Sequence, residues 1–476
     1  MTEVTSPAIR NGRLTRRLMV VVGVVVVGYY MVINPYNKDT INIVLGALML
    51  TLGMIPLWRW LGRRGPVEIP VLALHGLFYS VCFGFAGFIT PVKFMGELTV
   101  TEAENTAALC AALLSWGALC LGYWLVSGRT RRLQTWFLDI ESRRLNEAVV
   151  LVAYPALILF SIADARLGLA LDQIISAMRL IAFVWALFSA LRGELSRRAR
   201  ILVWFLLVPV EILLFAGFDE ARLLGLLVYG QILGVSLAVG RRVVYPAMAV
   251  FVVVAFALLD PVKAEVRTIT WSKTAEPTSI ADRLGIFATV AAQRYLGSGS
   301  SIAHSDGLVD ESFSRINHLH TLSAVVADTP RRVEYSHGET LLPLLTKWIP
   351  RAVWPDKPLE NLGNRWAHKY GYLGAMDDVT AYNLPWVPEM FMNFGWLGVG
   401  SLSLMIGALI GWVRNSLIVG ASTPARYSLA LLVSSSFFFP ESNISLEIGG
   451  MIVSAVSGAV FIAALVLITK TKAARQ

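Results

Sequence analysis

The chain has 476 residues, of which 56% are hydrophobic and only 15% are charged, and its formal net charge at pH 7 is +9. Soluble proteins carry about a quarter of their residues as charged side chains, so this composition excludes an ordinary soluble globular protein. All three cysteines lie in apolar segments, which excludes an ectodomain held together by disulfides. On such a chain, excess positive charge is typical of cytoplasmic loops and does not indicate nucleic-acid binding.

The apolar runs predict about twelve transmembrane helices. The first run follows a basic segment, as in a signal peptide, but no small-residue cleavage site comes after it, so we expect it to remain as a span. The predicted spans are 17–34, 41–61, 68–90, 104–126, 147–163, 172–192, 199–217, 221–239, 243–260, 393–413, 425–440 and 448–469.

The charges between the spans predict the orientation of the chain. Arginine and lysine cluster in every second connection, beginning with the basic N-terminus. The connections between these hold few cations, namely Lys38, Lys93, Arg166 and Arg222. By the positive-inside rule, both termini are cytoplasmic and the long segment after the ninth span is extracytoplasmic.

These patterns predict an all-α polytopic membrane protein with one large, partly helical extracytoplasmic loop. Residues 1–260 are expected to hold transmembrane helices 1–9. Residues 261–392 are expected to form the loop, and residues 393–476 to hold transmembrane helices 10–12.

The sixth and seventh predicted spans contain ionisable residues. Asp172 lies near the outer end of the sixth span, Arg179 lies about two turns deeper, and Glu211 lies at a similar depth in the seventh. An ionisable side chain inside a membrane is normally paired or lines a watery cavity. Arg179 and Glu211 are therefore candidates for a structural ion pair, and a role in substrate binding is the alternative.

The predicted loop carries five of the six histidines and most of the remaining polar chemistry. Helical spacing predicts a helix over Ala281–Tyr295, and Asp310 is a candidate cap for a second helix that ends near Ala327, before Thr329-Pro330. Three prolines make the stretch Ile349–Pro358 rigid and non-helical.

Metal and nucleotide chemistry have little support in the loop. His318 and His320 form only a weak ligand pair, because no third ligand follows at a recognisable spacing. The glycine-rich stretch Gly297–Ser301 lacks the lysine of a phosphate-binding loop. We therefore expect no metal and no cofactor.

A set of cations in the loop is the stronger signal. Arginine binds phosphate through two parallel hydrogen bonds, and lysine adds a point charge, so without a metal such groups can neutralise a diphosphate leaving group. For each arginine alone, a structural salt bridge is about as good an interpretation. Trp354 and Trp386 can stack on sugars or anchor the loop at the membrane interface. The cations are Arg283, Arg294, Arg315, Arg351 and Lys357.

One set of residues in this region resembles a known family. The pattern comprises Arg315, Thr329-Pro330, Tyr335, Gly338-Glu339-Thr340, Ile349-Pro350-Arg351, Trp354-Pro355-Asp356-Lys357-Pro358, Glu389 and Asn393-Phe394-Gly395. Together these residues resemble bacterial O-antigen polymerases of the Wzy type, which are oligosaccharide repeat-unit polymerases. The resemblance covers roughly residues 283–400.

The resemblance implies a metal-independent, inverting glycosyltransferase at the outer face of the inner (plasma) membrane. Its substrate would be an undecaprenyl-diphosphate-linked oligosaccharide, whose glycan leaves one lipid diphosphate and joins another lipid-linked repeat unit. Membrane lipid, a chain-length regulator and a flippase are the further candidate partners, and nucleic acid is not one.

On this hypothesis each candidate residue has a role. Arg294, Arg315, Arg351 and Lys357 hold the diphosphate, and Glu389 or His318 acts as base toward the acceptor hydroxyl. Asn383, Trp354 and Trp386 contact sugar. The remaining candidates for substrate binding are Arg283, Asn393, Arg179 and Glu211.

Three alternatives stay open. An O-antigen ligase uses the same donor but transfers the glycan to the lipid A core. A polysaccharide or lipid transporter is disfavoured by the absence of visible sequence repeats and by polar residues that concentrate in one outer loop. The third alternative is a non-catalytic assembly partner.

Overall fold

The computed structural model describes residues 39–61, 68–88, 101–129, 133–167, 171–211, 280–296, 317–347, 360–378 and 380–474, with a few separate positions that include Trp354 and Lys357. All regular secondary structure in these residues is helical. The helices are α1 (Thr40–Leu61), α2 (Val71–Tyr79), α3 (Glu102–Val126), α4 (Arg143–Ala148), α5 (Tyr154–Leu167), α6 (Asp172–Leu191), α7 (Arg197–Leu202), α8 (Val208–Val210), α9 (Ile280–Leu296), α10 (His318–Asp328), α11 (Leu362–Lys369), α12 (Trp386–Val413), α13 (Pro424–Ser435) and α14 (Ile444–Ala474).

Short π-helical and 3₁₀ segments extend or join these helices. The π-helical segments are Ser80–Gly84, Val149–Ala153, Val203–Leu207 and Arg414–Ile418, and the 3₁₀ segments are Phe85–Phe88 and Glu339–Leu345. Several helices therefore continue through a change of helical type and are longer than their α-helical parts.

Seven helical stretches in the described residues are long and apolar enough to cross a membrane. They are Thr40–Trp60, Val71–Phe88, Glu102–Val126, Arg143–Asp164, Asp172–Leu191, Trp386–Ile418 and Ile444–Lys470. Each coincides with a predicted span, so the prediction of an all-helical, polytopic membrane protein is confirmed at this level.

The predicted total of twelve spans stays a prediction. Spans 17–34, 221–239 and 243–260 lie almost entirely outside the described residues, and span 199–217 is described only as far as Glu211. Span 425–440 corresponds to α13, which has only 12 residues and is buried over nearly its whole length. At about 1.5 Å per residue, α13 accounts for only about 18 Å of a hydrocarbon core about 30 Å thick, and non-helical residues 436–443 follow it before α14.

Glycines bring α3 and α12 into close contact along the centre of the bundle. A methyl group at Gly122 would collide with the backbone of Leu404, and one at Gly407 would collide with the backbone of Leu119. Small residues of this kind let two membrane helices approach to backbone contact.

Two arginines organise the end of the bundle that the charge pattern predicts to be cytoplasmic. Arg426 is fully buried and donates to both oxygens of Asp139, at 2.9 and 2.8 Å, and to two backbone carbonyls. Arg414 makes a similar two-point contact with Glu68, at 2.9 and 3.0 Å. At this end of the molecule, therefore, arginines also fix the segments between helices to the bundle.

The predicted loop contains helices and docks on the bundle. Helix α9 covers the predicted helix Ala281–Tyr295. Helix α10 begins after Asn317, whose side chain accepts a hydrogen bond from the backbone N–H of His320 at 3.1 Å; the predicted cap, Asp310, lies outside the described residues. Ser323 on α10 donates to Asn105 on α3 at 2.8 Å, which fixes the loop to the bundle.

The predicted boundary between the loop and the tenth span falls inside a helix. Helix α12 begins at Trp386, seven residues before the predicted start at Asn393, and its backbone leaves the helical conformation at Phe394 and Gly395. The apolar pattern located the part beyond this break. The sequence pattern does not predict the turns before the break, which contain Pro388 and Glu389, as part of a membrane span.

Candidate functional site

A cavity of about 820 Å³ lies where the loop meets the bundle. One part of its wall comes from the loop, between residues 336 and 369. The other part comes from three membrane helices: Asp172, Gln173 and Ile174 at the start of α6, Met392 on α12 and Val453 on α14. This is the end of the bundle that the charge pattern predicts to be extracytoplasmic.

One glycine of α14 leaves room for a lysine of the cavity wall, and the next glycine is in ordinary contact distance of the opposite wall. A methyl group at Gly449 would lie 2.5 Å from Cγ of Lys347, and one at Gly450 would lie 3.9 Å from Nε2 of Gln173. Lys347 belongs to the loop and Gln173 to α6. The first turns of α14 therefore form the surface where the two walls of the cavity meet.

Four cations and three carboxylates line the cavity. The cations are Lys347, Lys357, Arg365 and Lys369, and the carboxylates are Asp172, Glu339 and Glu360. Two of the cations form ion pairs within the lining: Lys347 with Glu360, and Arg365 with Glu339. The Lys347 pair is largely shielded from solvent, whereas both members of the Arg365 pair are more than half exposed.

Glu360 is the most highly connected of the three carboxylates. Besides Lys347, it accepts hydrogen bonds from the hydroxyl of Ser445 and from the amide of Asn443, the latter at 2.8 Å. Burial alone would raise the pKa of Glu360, but the hydrogen bonds from Lys347, Ser445 and Asn443 outweigh it and hold the pKa below its ordinary value. Glu360 thus anchors the loop to the start of α14 as a charged group.

The other two lysines contact neutral oxygen atoms. Lys357 donates to the carbonyls of Lys347 and Ile349, both at 3.0 Å. Lys369 donates to the hydroxyl of Ser336 at 3.1 Å and to the carbonyl of Glu334 at 3.3 Å. Among the described residues no carboxylate forms an ion pair with Lys369, so its charge is available to an anion in the cavity.

A buried hydrogen-bond network lies directly behind the cavity wall. The fully buried Glu389 accepts from the hydroxyl of Thr340 at 2.7 Å through Oε1 and from the backbone N–H of Ile444 at 2.6 Å through Oε2. Asn393 donates to Oγ1 of Thr340 at 2.7 Å and accepts from the backbone N–H of Gly338 at 2.8 Å. Thr340 lines the cavity and Glu389 does not, so among the described residues the hydrogen bond from Thr340 links Glu389 with the cavity.

The backbone around this network needs two glycines. Gly338 has φ +89° and immediately precedes the 3₁₀ segment Glu339–Leu345. Gly395 has φ +59° and ψ −145° at the break in α12, and a Cβ there would lie 2.8 Å from Oη of Tyr335. Both conformations are unfavourable for residues with a Cβ, so these glycines allow the loop to close onto α12.

The cavity includes some of the site residues predicted from the sequence. Lys357 and Trp354 line it, and Glu389 and Asn393 lie in the network behind it. Arg315 and Arg351 lie outside the described residues, as do the side chains of Arg283 and Arg294 on α9. For those four arginines, the predicted contact with diphosphate stays a prediction.

His318 lies away from the cavity. It is buried, and its ring stacks on Phe78, with a centroid distance of 5.4 Å and an interplanar angle of 28°. Burial lowers the pKa of His318, although the charge of Glu441 opposes this shift. Of the two bases proposed from the sequence, Glu389 is therefore the one connected with the cavity.

Asn383 and Trp386 also lie outside the cavity lining. Asn383 donates to Glu441 at 3.0 Å. Trp386 is only 1% exposed and packs against His75 and Phe437, with centroid distances of 5.7 and 6.3 Å. Trp354, at 36% exposed, is thus the better placed of the two predicted tryptophans for stacking on a sugar.

Arg179 and Glu211 form a buried ion pair, and the hydroxyl of Tyr154 donates to the same carboxylate. Neither residue of the pair lines the cavity. The pairing expected from their similar depth is confirmed. Their contacts are those of a structural ion pair joining α6 to the helical segment that contains Glu211.

Six charged residues of the cavity were not among the predicted site residues: Asp172, Glu339, Lys347, Glu360, Arg365 and Lys369. A signal for two of them exists, since Arg365 and Lys369 are four residues apart in α11 and therefore share one face of that helix. No three His, Cys, Asp or Glu side chains converge in a way that could hold a metal within the described residues.

The fold and the cavity define the protein as a polytopic helical membrane protein with a charged cavity at one end of its bundle. Residues 77–417 match the model of a family described as a domain of unknown function (DUF8712), and because the match covers more than half of the chain, the protein belongs to that family. The matched region includes the loop part of the cavity wall, with Glu389 and Asn393 behind it. No curated protein and no solved structure matches the chain.

Proposed function

We propose that the protein is a metal-independent, inverting glycosyltransferase that polymerises undecaprenyl-diphosphate-linked oligosaccharide repeat units at the outer face of the inner membrane. The observation that carries the proposal is the cavity, in which cations of the loop face the ends of membrane-spanning helices. The resemblance of residues 283–400 to oligosaccharide repeat-unit polymerases supports the same reaction.

The size of the cavity suits a diphosphate with adjoining sugar. Binding sites for small organic ligands have volumes of about 300–1,000 Å³, and the cavity of about 820 Å³ falls within this range. Trp354 contributes an aromatic ring and Gln173 an amide to the lining. Both are groups that contact sugars, the ring by stacking and the amide by hydrogen bonding.

The charges suit a diphosphate leaving group. Negative charge develops on the diphosphate as its bond to the sugar breaks, and cations already in position stabilise that charge. Lys369 contacts only neutral oxygen atoms among the described residues, so an anion would not have to displace a carboxylate from it. Arg365 on the same helix face offers a planar guanidinium group for a two-point contact with phosphate.

The walls of the cavity suit a lipid with an anionic head group. Apolar lining comes from Ile174, Met392 and Val453 on the membrane helices and from Leu342, which is 59% exposed. An isoprenoid chain gains free energy when it lies against such apolar surface, while its diphosphate reaches the cations. A soluble anion would gain nothing from this apolar wall.

The direct test is polymerisation by the purified protein of a defined undecaprenyl-diphosphate-linked repeat unit. We expect a ladder of lengthening products that forms in the presence of EDTA. A lipid A core acceptor in a parallel reaction tests the ligase alternative, because a ligase would glycosylate that acceptor and make no ladder. Movement of the substrate across vesicles without any new glycosidic bond would support a transporter and refute the proposal.

Lys369→Ala tests whether the cavity holds the diphosphate. Removing one group that stabilises transition-state charge lowers turnover by about a hundredfold or more, and we expect a loss of this order. Arg331→Ala is the matched control, since Arg331 is an exposed loop cation outside the cavity lining. If Lys369→Ala polymerised as fast as Arg331→Ala, the diphosphate would not bind beside Lys369.

A further inference from the structure

The three carboxylates of the cavity differ in their partners. Glu339 pairs with Arg365, and Glu360 pairs with Lys347. Asp172 accepts a hydrogen bond only from the hydroxyl of a serine one turn along its own helix, at 3.2 Å, and forms no ion pair with any described residue. Within the lining, Asp172 is thus the carboxylate that no described cation neutralises.

The position of Asp172 also differs from that of the other two carboxylates. It is the first residue of α6, so it belongs to the bundle and not to the loop, and its side chain is exposed. An acid in the first turn of a helix stabilises the helix dipole, but that role does not require it to line a cavity. Gln173 lines the cavity beside it, so α6 presents a carboxylate and an amide together.

The cavity therefore has two chemically different walls. The loop wall carries all four cations, and the α6 wall carries Asp172 and Gln173, with α14 between them at Gly449 and Gly450. A glycosyl transfer needs this separation, because the leaving diphosphate requires positive charge and the acceptor hydroxyl requires a proton acceptor. The loop wall meets the first need, and Asp172 can meet the second.

We propose that Asp172 is the catalytic base that deprotonates the acceptor hydroxyl, an inference that rests on the proposed function. The acceptor oxygen forms a bond to the anomeric carbon of the donor sugar, and its proton passes to the carboxylate of Asp172. The bond from that carbon to the diphosphate oxygen breaks, and the electron pair leaves with the diphosphate. The cations of the loop wall neutralise the charge so released.

This assignment gives Glu389 a different role from the one expected from the sequence. Both carboxylate oxygens of Glu389 already accept hydrogen bonds, from Thr340 and from the backbone of Ile444, and the residue does not line the cavity. A general base must lie within hydrogen-bond reach of the proton it removes. Asp172 meets this requirement for a ligand in the cavity, whereas Glu389 holds the cavity wall in place.

Asp172→Asn tests the assignment, since it keeps the size of the side chain and removes its basicity. We expect kcat for polymerisation to fall by about 10²–10⁴-fold, the usual contribution of a general base, while the Kd for the lipid-linked repeat unit stays close to that of the wild type. Asp172→Glu, which restores a carboxylate, should recover part of the rate. Asp378→Asn is the matched control, because Asp378 is an exposed aspartate outside the lining.

Three results would overturn the assignment, and they have different meanings. A kcat for Asp172→Asn equal to that of Asp378→Asn would show that Asp172 is not the base. Loss of substrate binding together with turnover would make Asp172 a binding residue and not a base. A wild-type protein that binds the lipid-linked repeat unit but never lengthens it would refute the proposed function, and the assignment with it.

Discussion

Glu360→Gln should weaken the attachment of the loop to the bundle by about 3 kcal/mol. The substitution keeps the shape of the side chain and its acceptor for Asn443, but it leaves the ammonium group of Lys347 without its counter-charge. Removing one partner of a buried ion pair costs about 3–5 kcal/mol, because the remaining charge is desolvated without compensation. We take the lower end, since the Lys347 and Glu360 side chains are still 16% and 14% exposed.

Hydrogen exchange of the backbone amides measures this loss locally. A decrease of about 3 kcal/mol in the free energy of local opening makes exchange about 150-fold faster. The effect should be confined to the segments around Lys347 and Glu360 and to the start of α14. Amides of α3 should exchange as in the wild type and serve as the internal control.

A second substitution separates the lost charge pair from other effects. Lys347→Met removes the other charge while keeping a long, flexible side chain. In the double variant no unpaired charge remains, so exchange should be slower than in Glu360→Gln alone. If Glu360→Gln exchanged at the wild-type rate, or if the two substitutions were simply additive, the ion pair would not be what holds the loop.

The same pair predicts a dependence of stability on pH. The pKa of Glu360 is lowered in the folded protein, so its contribution to stability is complete above the pKa of an unfolded glutamate, about 4.3. That contribution is lost as the pH falls through the folded pKa. Between pH 6 and pH 3.5, the melting temperature of the wild type should therefore fall further than that of Glu360→Gln.

Two more substitutions probe the network behind the cavity. Gly395→Ala places a Cβ at φ +59° and 2.8 Å from Oη of Tyr335, so we expect a melting temperature several degrees lower. Adding Tyr335→Phe should recover part of this loss. An unchanged melting temperature would show that the break in α12 tolerates a side chain. Thr340→Val removes the hydroxyl donor to Glu389, which should cost about 1–3 kcal/mol of unfolding free energy, and Thr340→Ser should restore most of it. Equal stability of Thr340→Val and Thr340→Ser would mean that this hydrogen bond contributes nothing.

The membrane helices were predictable because their signal is local. Helix α3 begins at Glu102, two residues before the predicted span. Glu102 and Glu104 lower the hydropathy of the first turn, although Glu104 forms a capping box with Thr101 and both acids favour the helix dipole. The pairing of Arg179 with Glu211 followed from their equal depth. Both predictions needed only helix geometry and the cost of an unpaired charge in a membrane.

The cavity was less predictable because it depends on contacts distant in the sequence. Asp172 and Lys369 line the same cavity although nearly two hundred residues separate them. The segment Glu339–Leu345 is a 3₁₀ helix with an internal proline, so it has none of the periodicity by which longer helices are recognised. The sequence pattern favoured Arg351 and Lys357, which lie in the rigid proline-rich stretch. It did not predict Arg365 and Lys369, which follow that stretch.

Trp386 shows that amino-acid composition alone does not predict whether a side chain is exposed. A tryptophan between prolines, before a membrane span, suggested a surface for a sugar, but every residue from Trp386 to Asn393 is buried. Those residues form the short first part of α12, which is surrounded by protein. Composition alone does not show that a helix is enclosed by protein on all sides, because that depends on tertiary packing.

The break at Phe394 and Gly395 marks a change in what surrounds α12. Before it the helix is enclosed by the loop and by neighbouring helices, and directly after it Trp396 and Leu397 are 45% and 78% exposed. From Trp396 to Ile418 the chain rises by about 35 Å, enough to cross a hydrocarbon core of about 30 Å. On the proposed function, Trp396 would mark the water–lipid boundary on this helix and the cavity would lie at the depth of the phospholipid head groups, so that a lipid-linked substrate would enter sideways from the leaflet without leaving the membrane.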